Sequence, residues 1–277
     1  MAIKIITDST CDITRDTVEH FGICVVPAYV LFGEESFRQG IDINPTQFYA
    51  RLQSSSQLPS TSQPTPGDFT GAMEPLVSAG DQVVCVTVAR QLSGTYNSAA
   101  QAASQFDDGA VTVVDSGTAS VGHMLQVIAA AEDAAAPDAT LDSVVSAAQS
   151  RAGGSYGFAM VDTLEYLQKG GRIGKAQAFM GSLMKVKPIL KVANGEVLPV
   201  DRPRNMRRGL QRLEELVREQ GPASKLAVAY TTDVGPAEEM RDRLSDLVNP
   251  ENTYTLQVGS AIGTHVGPGA VAVSTLP

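Results

Sequence analysis

The chain has 277 residues, of which 43% are hydrophobic and 18% charged, and it carries a formal net charge of −9. This length favours two compact domains, and the composition excludes a long disordered region, which would need fewer apolar and more charged residues. The negative charge, with 5% aromatic residues and no tryptophan, argues against a nucleic-acid-binding surface, because such a surface needs a basic field and aromatic rings on which bases stack.

The N-terminal segment supplies the first predicted element and an expectation about location. Residues 1–7 lead directly into a strand pattern and lack the apolar core of a signal peptide. No run of about 18 or more apolar residues, the length that a membrane span needs, follows in the sequence. We therefore expect a cytoplasmic protein.

The first half repeats a strand pattern followed by a helix pattern, which predicts an α/β fold with a mostly parallel sheet and flanking helices. Ligands of such sheets bind at the carboxyl ends of the strands. The stretch 53–67, rich in serine, threonine and proline, resembles a linker. The other predicted elements of this half are strands at 3–6, 83–88 and 111–114 and helices at 13–21, 93–105, 121–131 and near 141–149.

The second half mixes strands and helices, which predicts an α+β domain with a mixed or antiparallel sheet. The turn sequence A-N-G-E at 193–196 is a hairpin signal, because Asn-Gly favours the tight turn that joins antiparallel strands. Two glycines at 153–154 place the domain boundary near residue 150, which gives domains at 1–150 and 151–277. The predicted elements are strands at 156–161, 186–192, 196–200, 226–230, 253–257 and 270–274 and helices near 176–184, 206–219 and 236–247.

Five short stretches of hydroxyl residues and glycine interrupt the apolar sequence. Most follow a strand pattern or precede a helix pattern, where glycine lets the backbone approach a ligand and a helix N-terminus offers free N–H groups to an anion. They therefore predict loops that converge on one ligand with an acidic head group. The stretches are T-D-S-T at 7–10, S-T-S-Q-P at 60–64, L-S-G-T at 92–95, D-S-G-T at 115–118 and G-T-H-V-G-P-G at 263–269.

The residues permit few catalytic chemistries. Ser93 and His265 could belong to a hydrolytic set, but Ser93 lacks the leading glycine of a G-x-S-x-G turn. The segment 170–176 is one residue short of a phosphate-binding P-loop and ends in alanine. Neither H-E-x-x-H nor a grouped histidine and carboxylate spacing occurs, so we expect no metal.

Three side chains are candidates for holding a carboxylate beside an apolar tunnel, namely Thr61, Ser93 and His265. Thr61 and Ser93 are equally compatible with helix capping. His265 lies among three glycines of the stretch 263–269, which a histidine packed in a core rarely needs, so its context favours a function.

A basic cluster stands out in this acidic chain. Arg202, Arg204, Arg207 and Arg208 fall within seven residues at the start of a predicted helix. Cations at a helix N-terminus oppose the helix dipole. The cluster therefore fits a docking surface for an acidic partner or a phosphate, and it fits a solvated face equally well.

Six motifs together resemble the DegV family, and the resemblance spans nearly the whole chain. Each motif is short, but all six occur in the order of the family and at natural spacing. Small departures lie at Gly174 and His123, outside the head-group motifs. The motifs are T-D-S-T at 7–10, T-S-Q-P at 61–64, L-S-G-T-Y-N-S-A at 92–99, Y-L-Q-K-G-G-R-I at 166–173, K-P-I-L at 187–190 and the glycine-rich stretch at 263–269.

The resemblance implies two α/β domains with a lipid tunnel between them, and it assigns roles to residues. It implies that Thr61 and Ser93 hold the carboxylate of one long-chain fatty acid, that His265 belongs to the same network and that Arg172 lies near the head group. It also implies that Arg202 engages a partner protein, and we predict that Arg204, from the same basic cluster, belongs to this surface. The flanking residues that complete the implied ligand-binding set are Ser62, Gly94, Thr95 and Ser9.

The resemblance further implies a non-catalytic carrier that needs no cofactor. Its ligand would be a fatty acid such as palmitate or oleate. Its partner would be a separate ATP-dependent kinase subunit, related to dihydroxyacetone kinases, that makes an acyl phosphate for phospholipid synthesis. Transient contact with a membrane is compatible with this role. Two alternatives stay open: a serine-dependent lipid hydrolase that uses Ser93 and His265, and a regulatory protein that senses lipid.

Overall fold

The computed structural model describes residues 2–152, 156–180 and 186–277. Within these residues the chain forms thirteen strands, which pair into three sheets. In chain order the strands are β1 (Ile3–Asp8), β2 (Cys24–Val26), β3 (Tyr29–Phe32), β4 (Glu35–Arg38), β5 (Ser60–Ser62), β6 (Gln82–Thr87), β7 (Val111–Asp115), β8 (Tyr156–Met160), β9 (Ile189–Ala193), β10 (Glu196–Asp201), β11 (Lys225–Tyr230), β12 (Thr253–Gln257) and β13 (Val271–Leu276).

The same described residues contain ten α-helices and three short 3-10 helices. The α-helices are α1 (Arg15–Phe21), α2 (Pro45–Ser54), α3 (Pro66–Ser78), α4 (Thr95–Ala103), α5 (Ser120–Ala134), α6 (Leu141–Ala152), α7 (Glu165–Lys169), α8 (Met206–Arg218), α9 (Gly235–Arg243) and α10 (Ser260–Val266). The 3-10 helices are Ser9–Cys11, Gly174–Phe179 and Pro250–Asn252. Across the described ranges, no helix combines the length and the apolar character that crossing a membrane requires.

The first large sheet is parallel, with the strand order β2-β1-β6-β7. Residues Val83 to Val86 of β6 are completely buried, as expected for a strand with packed layers on both faces of the sheet. Helices α4 and α5 follow β6 and β7 directly along the chain, and α1 follows β1 after the short 3-10 helix Ser9–Cys11. The α/β class predicted for the first half is therefore confirmed.

The second large sheet is mixed, with the order β10-β9-β8-β13-β11-β12. All its pairs are antiparallel except β11 with β12, which run parallel. The predicted hairpin joins β9 and β10, and its turn residues Asn194 and Gly195 have φ angles of 51° and 74°. Left-handed backbone at both central positions is the geometry of a tight hairpin turn, which confirms the prediction.

Helix α5 lies between the two large sheets. Every residue from Ser120 to Ala131 is buried, because the helix packs against β1 of the first sheet and against β11 and β13 of the second. An apolar cluster that includes Ile5, Val84, Ala227 and Leu256 is continuous through this helix. The two halves therefore share a core. The domain boundary near residue 150 stays a prediction.

The stretch 53–67 is not a linker, so that prediction is wrong. Its centre forms β5, which pairs with β3 in a small antiparallel sheet of order β4-β3-β5. Its end starts α3, where Thr65 and Asp68 form a reciprocal capping box and Pro66 occupies the first turn. The same serine, threonine and proline residues that suggest a flexible segment thus supply strand pairing and a helix start.

The predicted helix at 176–184 is only partly testable. Its first part is the 3-10 helix Gly174–Phe179, and residues 181–184 lie outside the described residues. The other predicted helices and strands of the second half occur within a few residues of their expected bounds. The α+β character of this half is confirmed.

Candidate ligand-binding site

An apolar cavity lies between elements of the two halves. It contains about 1050 Å³ of space between protein atoms, its open mouth included. Its walls come from β8, β9, β10 and β13 of the second sheet, the start of α5, helix α10, and loops that follow β1 and β6. This arrangement places the carboxyl ends of two parallel strands beside an apolar space, as expected for ligand sites in open α/β sheets.

Small side chains on two paired strands make room for the cavity. Ala159 of β8 lies opposite Ala272 of β13, and Gly157 lies two residues along β8 on the same face. All three line the cavity, and the two alanines are only half-buried although their strands are internal to the sheet. Larger residues at these positions would fill the space that the cavity occupies.

Thr61 and His265 form a hydrogen-bonded pair at the polar end of this cavity. Thr61 lies on β5 and His265 on α10, and Oγ1 of the threonine is 3.0 Å from Nε2 of the histidine. Gly170 packs against the opposite edge of the imidazole, where a Cβ atom would overlap Nδ1. Nδ1 is buried and has no hydrogen-bond partner among the described residues.

The imidazole of His265 is neutral at physiological pH. Burial, with a smaller contribution from the Arg172 guanidinium, lowers the pKa of His265 to about 4. If the single ring proton is on Nε2, the imidazole donates to Thr61 and the threonine hydroxyl is free to donate to a ligand. If the proton is on Nδ1, the threonine hydroxyl donates to Nε2 instead. The tautomer therefore decides whether Thr61 can donate to a bound carboxylate.

Ser93 lines the cavity from the loop between β6 and α4. Its Oγ is 2.8 Å from Oγ1 of Thr95 and accepts a hydrogen bond of 3.3 Å from the Thr95 N–H. Gly94 between them packs against Gln63, because a Cβ at Gly94 would overlap the glutamine side chain. Glycine at this position therefore lets the β5 loop approach the start of α4.

Arg172 supplies a cation at the mouth of the cavity. Its Nε donates to the carbonyl of Leu92 at 3.2 Å, and its Nη1 donates to the carbonyl of Gly170 at 2.8 Å. These two bonds fix an exposed guanidinium between the Ser93 loop and the segment that covers His265. Among the described residues no carboxylate pairs with it, so its charge is available to an anion.

The structure brings most of the sequence-predicted ligand residues to one cavity. Gly94 packs beside it and does not line it. Ser9 is buried next to it, where its Oγ accepts from the Ala28 N–H at 2.9 Å, and its neighbour Thr10 reaches the cavity instead. The predicted residues that do line the cavity are Thr61, Ser62, Ser93, Thr95, Arg172 and His265.

The predicted partner-binding arginines lie on the surface, away from the cavity lining. Arg202 and Arg204 are both exposed. The guanidinium of Arg202 stacks on the ring of Phe179, with 4.9 Å between its central carbon and the ring centroid. Arg202 and Arg204 lie in the short segment between the end of β10 and the start of α8.

Sequence reasoning missed two hydroxyls in the cavity wall, those of Thr10 and Ser120. Thr10 Oγ1 donates to the buried carboxylate of Asp8, and Ser120 Oγ donates to Asp12 at 2.6 Å. Asp12 also accepts from the Gly259 N–H at 2.9 Å, just before α10, and burial raises the pKa of its carboxyl to about 7.

A signal for these hydroxyls existed in the sequence, because Thr10 and Ser120 lie within or just after two of the hydroxyl-rich stretches. Both Asp12 and Ser120 adopt left-handed backbone, with φ angles of 55° and 52°. Residues other than glycine rarely do so, and such conformations persist only where surrounding contacts hold them. The sequence pattern alone could not indicate that the side chains of Asp12 and Ser120 would form a hydrogen bond.

The sequence and the fold of this chain are similar to those of known proteins. The family model described as "Uncharacterised protein, DegV family" matches residues 2–277. A DegV domain-containing protein from Deinococcus radiodurans is 37% identical over 290 residues, which cover 100% of this chain and 99% of the relative. A fatty-acid-binding DegV family protein from Thermus thermophilus has a TM-score of 0.93 at 31% identity, with 100% of each chain covered. DegV from Bacillus subtilis, also a fatty acid binding protein, has a TM-score of 0.89 at 31% identity, again with 100% of each chain covered.

Proposed function

Because the chain belongs to the DegV family, we propose that it binds one long-chain fatty acid, such as palmitate or oleate, and presents the carboxylate to a separate ATP-dependent kinase subunit. The proposal rests chiefly on one observation, an apolar cavity that ends at Thr61, Ser93, Arg172 and His265. The fatty acids bound by the relatives from Thermus thermophilus and Bacillus subtilis support the identity of the ligand.

The tail of such a ligand accounts for the need for a carrier. Burying about fifteen methylenes at roughly 0.8 kcal/mol each contributes on the order of 12 kcal/mol before the costs of ordering the chain. The paired alanines and the glycine of β8 and β13 leave an apolar space that a flexible acyl chain can fill. A kinase subunit then needs to recognise only the head group.

The head group keeps its hydrogen bonds at the polar end of the cavity. A carboxylate that leaves water must be paired with donors or cations to avoid a large desolvation cost. The hydroxyls of Thr61 and Ser93 and the guanidinium of Arg172 offer such partners, since all three line the same cavity. Arg172 is exposed, which leaves this end reachable from solvent.

The contacts of Ser93 and His265 favour binding over hydrolysis. Ser93 bonds to Thr95, whereas His265 bonds to Thr61. A general base should have a pKa near the working pH, but that of His265 is lowered to about 4. The other ring nitrogen of His265 lacks the carboxylate partner that orients a triad histidine, among the residues that the structure describes.

The kinase subunit would dock on the arginines that follow β10. Arg202, Arg204, Arg207 and Arg208 are all exposed, and the last three form no ion pair within the described ranges. Exposed surface cations steer an acidic partner mainly through the association rate. Arg202→Ala should weaken the kinase reaction and leave lipid binding intact; a loss of lipid binding would assign Arg202 to the cavity instead.

Lipid extraction from the purified protein tests the proposal directly. Protein produced in a bacterial host should yield about one fatty acid per chain by mass spectrometry. Recovery of no lipid, together with no binding of added palmitate or oleate, would overturn the proposal. Bound lipid without acyl phosphate formation by any kinase partner would retain the lipid ligand and favour the regulatory alternative.

A further inference from the structure

Two surface grooves share Arg172, which also lines the cavity. One, which we call the Lys169 groove, is lined by Ser60, Tyr166, Lys169 and Arg172 and reaches Thr61 and His265. The other, the Lys175 groove, is lined by Arg90, Asn97, Arg172, Lys175 and Glu196 and reaches Ser93. Both grooves reach residues of the proposed head-group site, so each offers space for a group added to a bound carboxylate.

The charges that line the Lys175 groove suit a phosphoryl group. Arg90 and Lys175 are both about two-thirds exposed, and they flank the groove together with Arg172. Asp115 lies 3.5 Å from Arg90, and Glu196 lies 2.7 Å from Lys175, so each cation is positioned by a carboxylate. Only one of these carboxylates, Glu196, lines the groove, which leaves an excess of positive charge.

Close backbone packing brings the two sides of the Lys175 groove together. Gly195 has a φ angle of 74°, and a Cβ there would lie 2.9 Å from Cβ of Gln91. Gly174 has a φ angle of 50°, and a Cβ there would lie 2.9 Å from the carbonyl oxygen of Val197. The segment 170–176, whose sequence partly matches the motif of a phosphate-binding loop, therefore forms part of the groove wall.

The Lys175 groove lies on the same face as the arginines assigned to partner docking. The 3-10 helix that contains Lys175 packs on β10, which starts at the groove with Glu196 and ends beside Arg202. Glu196 and Asp201, the first and last residues of β10, are five residue steps apart, or about 17 Å of extended chain. One docked protein domain easily covers this distance. The Lys169 groove shares no residue with this face except Arg172.

We propose that the Lys175 groove receives the phosphoryl group during phosphorylation of the bound carboxylate, with Arg90 and Lys175 as its ligands. This inference rests on the proposed function. In the step, a carboxylate oxygen forms a bond to the terminal phosphorus of a nucleoside triphosphate held by the partner. The bond between that phosphorus and the bridging oxygen breaks, and the nucleoside diphosphate leaves with the electron pair. Arg90, Arg172 and Lys175 then face the oxygens of the acyl phosphate.

The test compares two ligands of the same chain length, palmitate and 2-oxoheptadecylphosphonate, a stable analogue of palmitoyl phosphate. Their affinities are measured by displacement of a fluorescent fatty acid from the full-length protein. The double variant Arg90→Gln with Lys175→Gln should lower the affinity for the phosphonate by about ten-fold or more and leave that for palmitate unchanged. Lys169→Gln is the matched control and should change neither affinity.

Each other outcome overturns the inference. Unchanged phosphonate affinity in the double variant would remove Arg90 and Lys175 from the role. Loss of phosphonate affinity in Lys169→Gln alone would assign the phosphoryl group to the Lys169 groove. If the unsubstituted protein bound neither ligand, the proposed function would fail and the inference with it.

Discussion

Thr61 and His265 lie 204 positions apart in the sequence, yet their side chains are joined by a hydrogen bond of 3.0 Å. The bond connects the short strand β5 to helix α10, and so it links the small antiparallel sheet to the last helix of the chain. The proposed head-group site therefore depends on contacts between distant segments.

Thr61→Val tests the contribution of this hydroxyl, because valine keeps the shape and removes the hydrogen-bonding group. We expect the affinity for palmitate to fall by about ten-fold, or about 1.4 kcal/mol, since one hydrogen bond to a charged group is lost. Thr61→Ser is the matched control and should retain most of the affinity. Equal affinities for the three proteins in the displacement assay would exclude Thr61 from the head-group site.

Ser93→Ala separates the proposed carrier from the hydrolase alternative. The fold should be unchanged, whereas acyl phosphate formation with a kinase subunit should fall by about ten-fold because the carboxylate loses one donor. A covalent adduct of the unsubstituted protein with a fluorophosphonate at Ser93 would instead favour hydrolysis. Mass spectrometry of the treated protein detects that adduct.

Ala159→Leu should shorten the preferred acyl chain. The added side-chain atoms occupy cavity space that about three methylenes would fill, because protein interiors are closely packed. We expect the fatty acids extracted from the variant to be shorter than those from the unsubstituted protein. Ala229→Leu, on a strand of the same sheet but outside the cavity lining, should lower stability without this shift. An unchanged lipid profile in Ala159→Leu would show that Ala159 does not contact the chain.

Asp12 should make the protein less stable as the pH rises from about 4 to about 7. Burial raises the pKa of this carboxyl from 3.8 to about 7, so in this range the folded state holds a proton that the unfolded state has released. The free energy of unfolding then decreases by about 1.4 kcal/mol per pH unit from this group. Asp12→Asn should remove that slope in denaturant unfolding measured at several pH values. An identical slope in both proteins would mean that Asp12 is ionised throughout.

His265 should have the opposite effect between about pH 4 and 6.5. Its lowered pKa means that the unfolded state binds a proton that the folded state lacks, so its contribution to stability is lost as the pH falls through this range. His265→Gln should therefore make the stability of the protein less sensitive to acid over this range. The two groups can be distinguished by the slope of the free energy of unfolding against pH. Asp12→Asn removes a negative contribution to this slope, whereas His265→Gln removes a positive one.

The extent to which the fold follows from the sequence differs between its parts. The buried run Val83–Val86 and the turn Asn194-Gly195 carry local signals, a continuous apolar strand and left-handed backbone, so their sheets could be predicted. Strands β4 and β5 have no such signal, because most of their residues are exposed and polar. Their pairing with β3 is set by tertiary contacts.

The candidate site shows the same limit. The hydroxyl and glycine stretches identified Thr61, Ser93 and His265, because glycine-flanked polar residues in an apolar chain are unusual. They could not show that His265 bonds to Thr61 or that Ser93 bonds to Thr95, since those distances depend on how β5, α4 and α10 pack. The cavity-lining hydroxyls of Thr10 and Ser120 were missed for the same reason.

The central position of α5 restricts how the proposed lipid ligand can be exchanged. Pulling the two sheets apart would expose the shared core around this helix to water, at about 25 cal/mol for every Å² of apolar surface. For the proposed fatty acid ligand, we therefore expect exchange through local rearrangement at the rim of the cavity, with the two halves remaining joined.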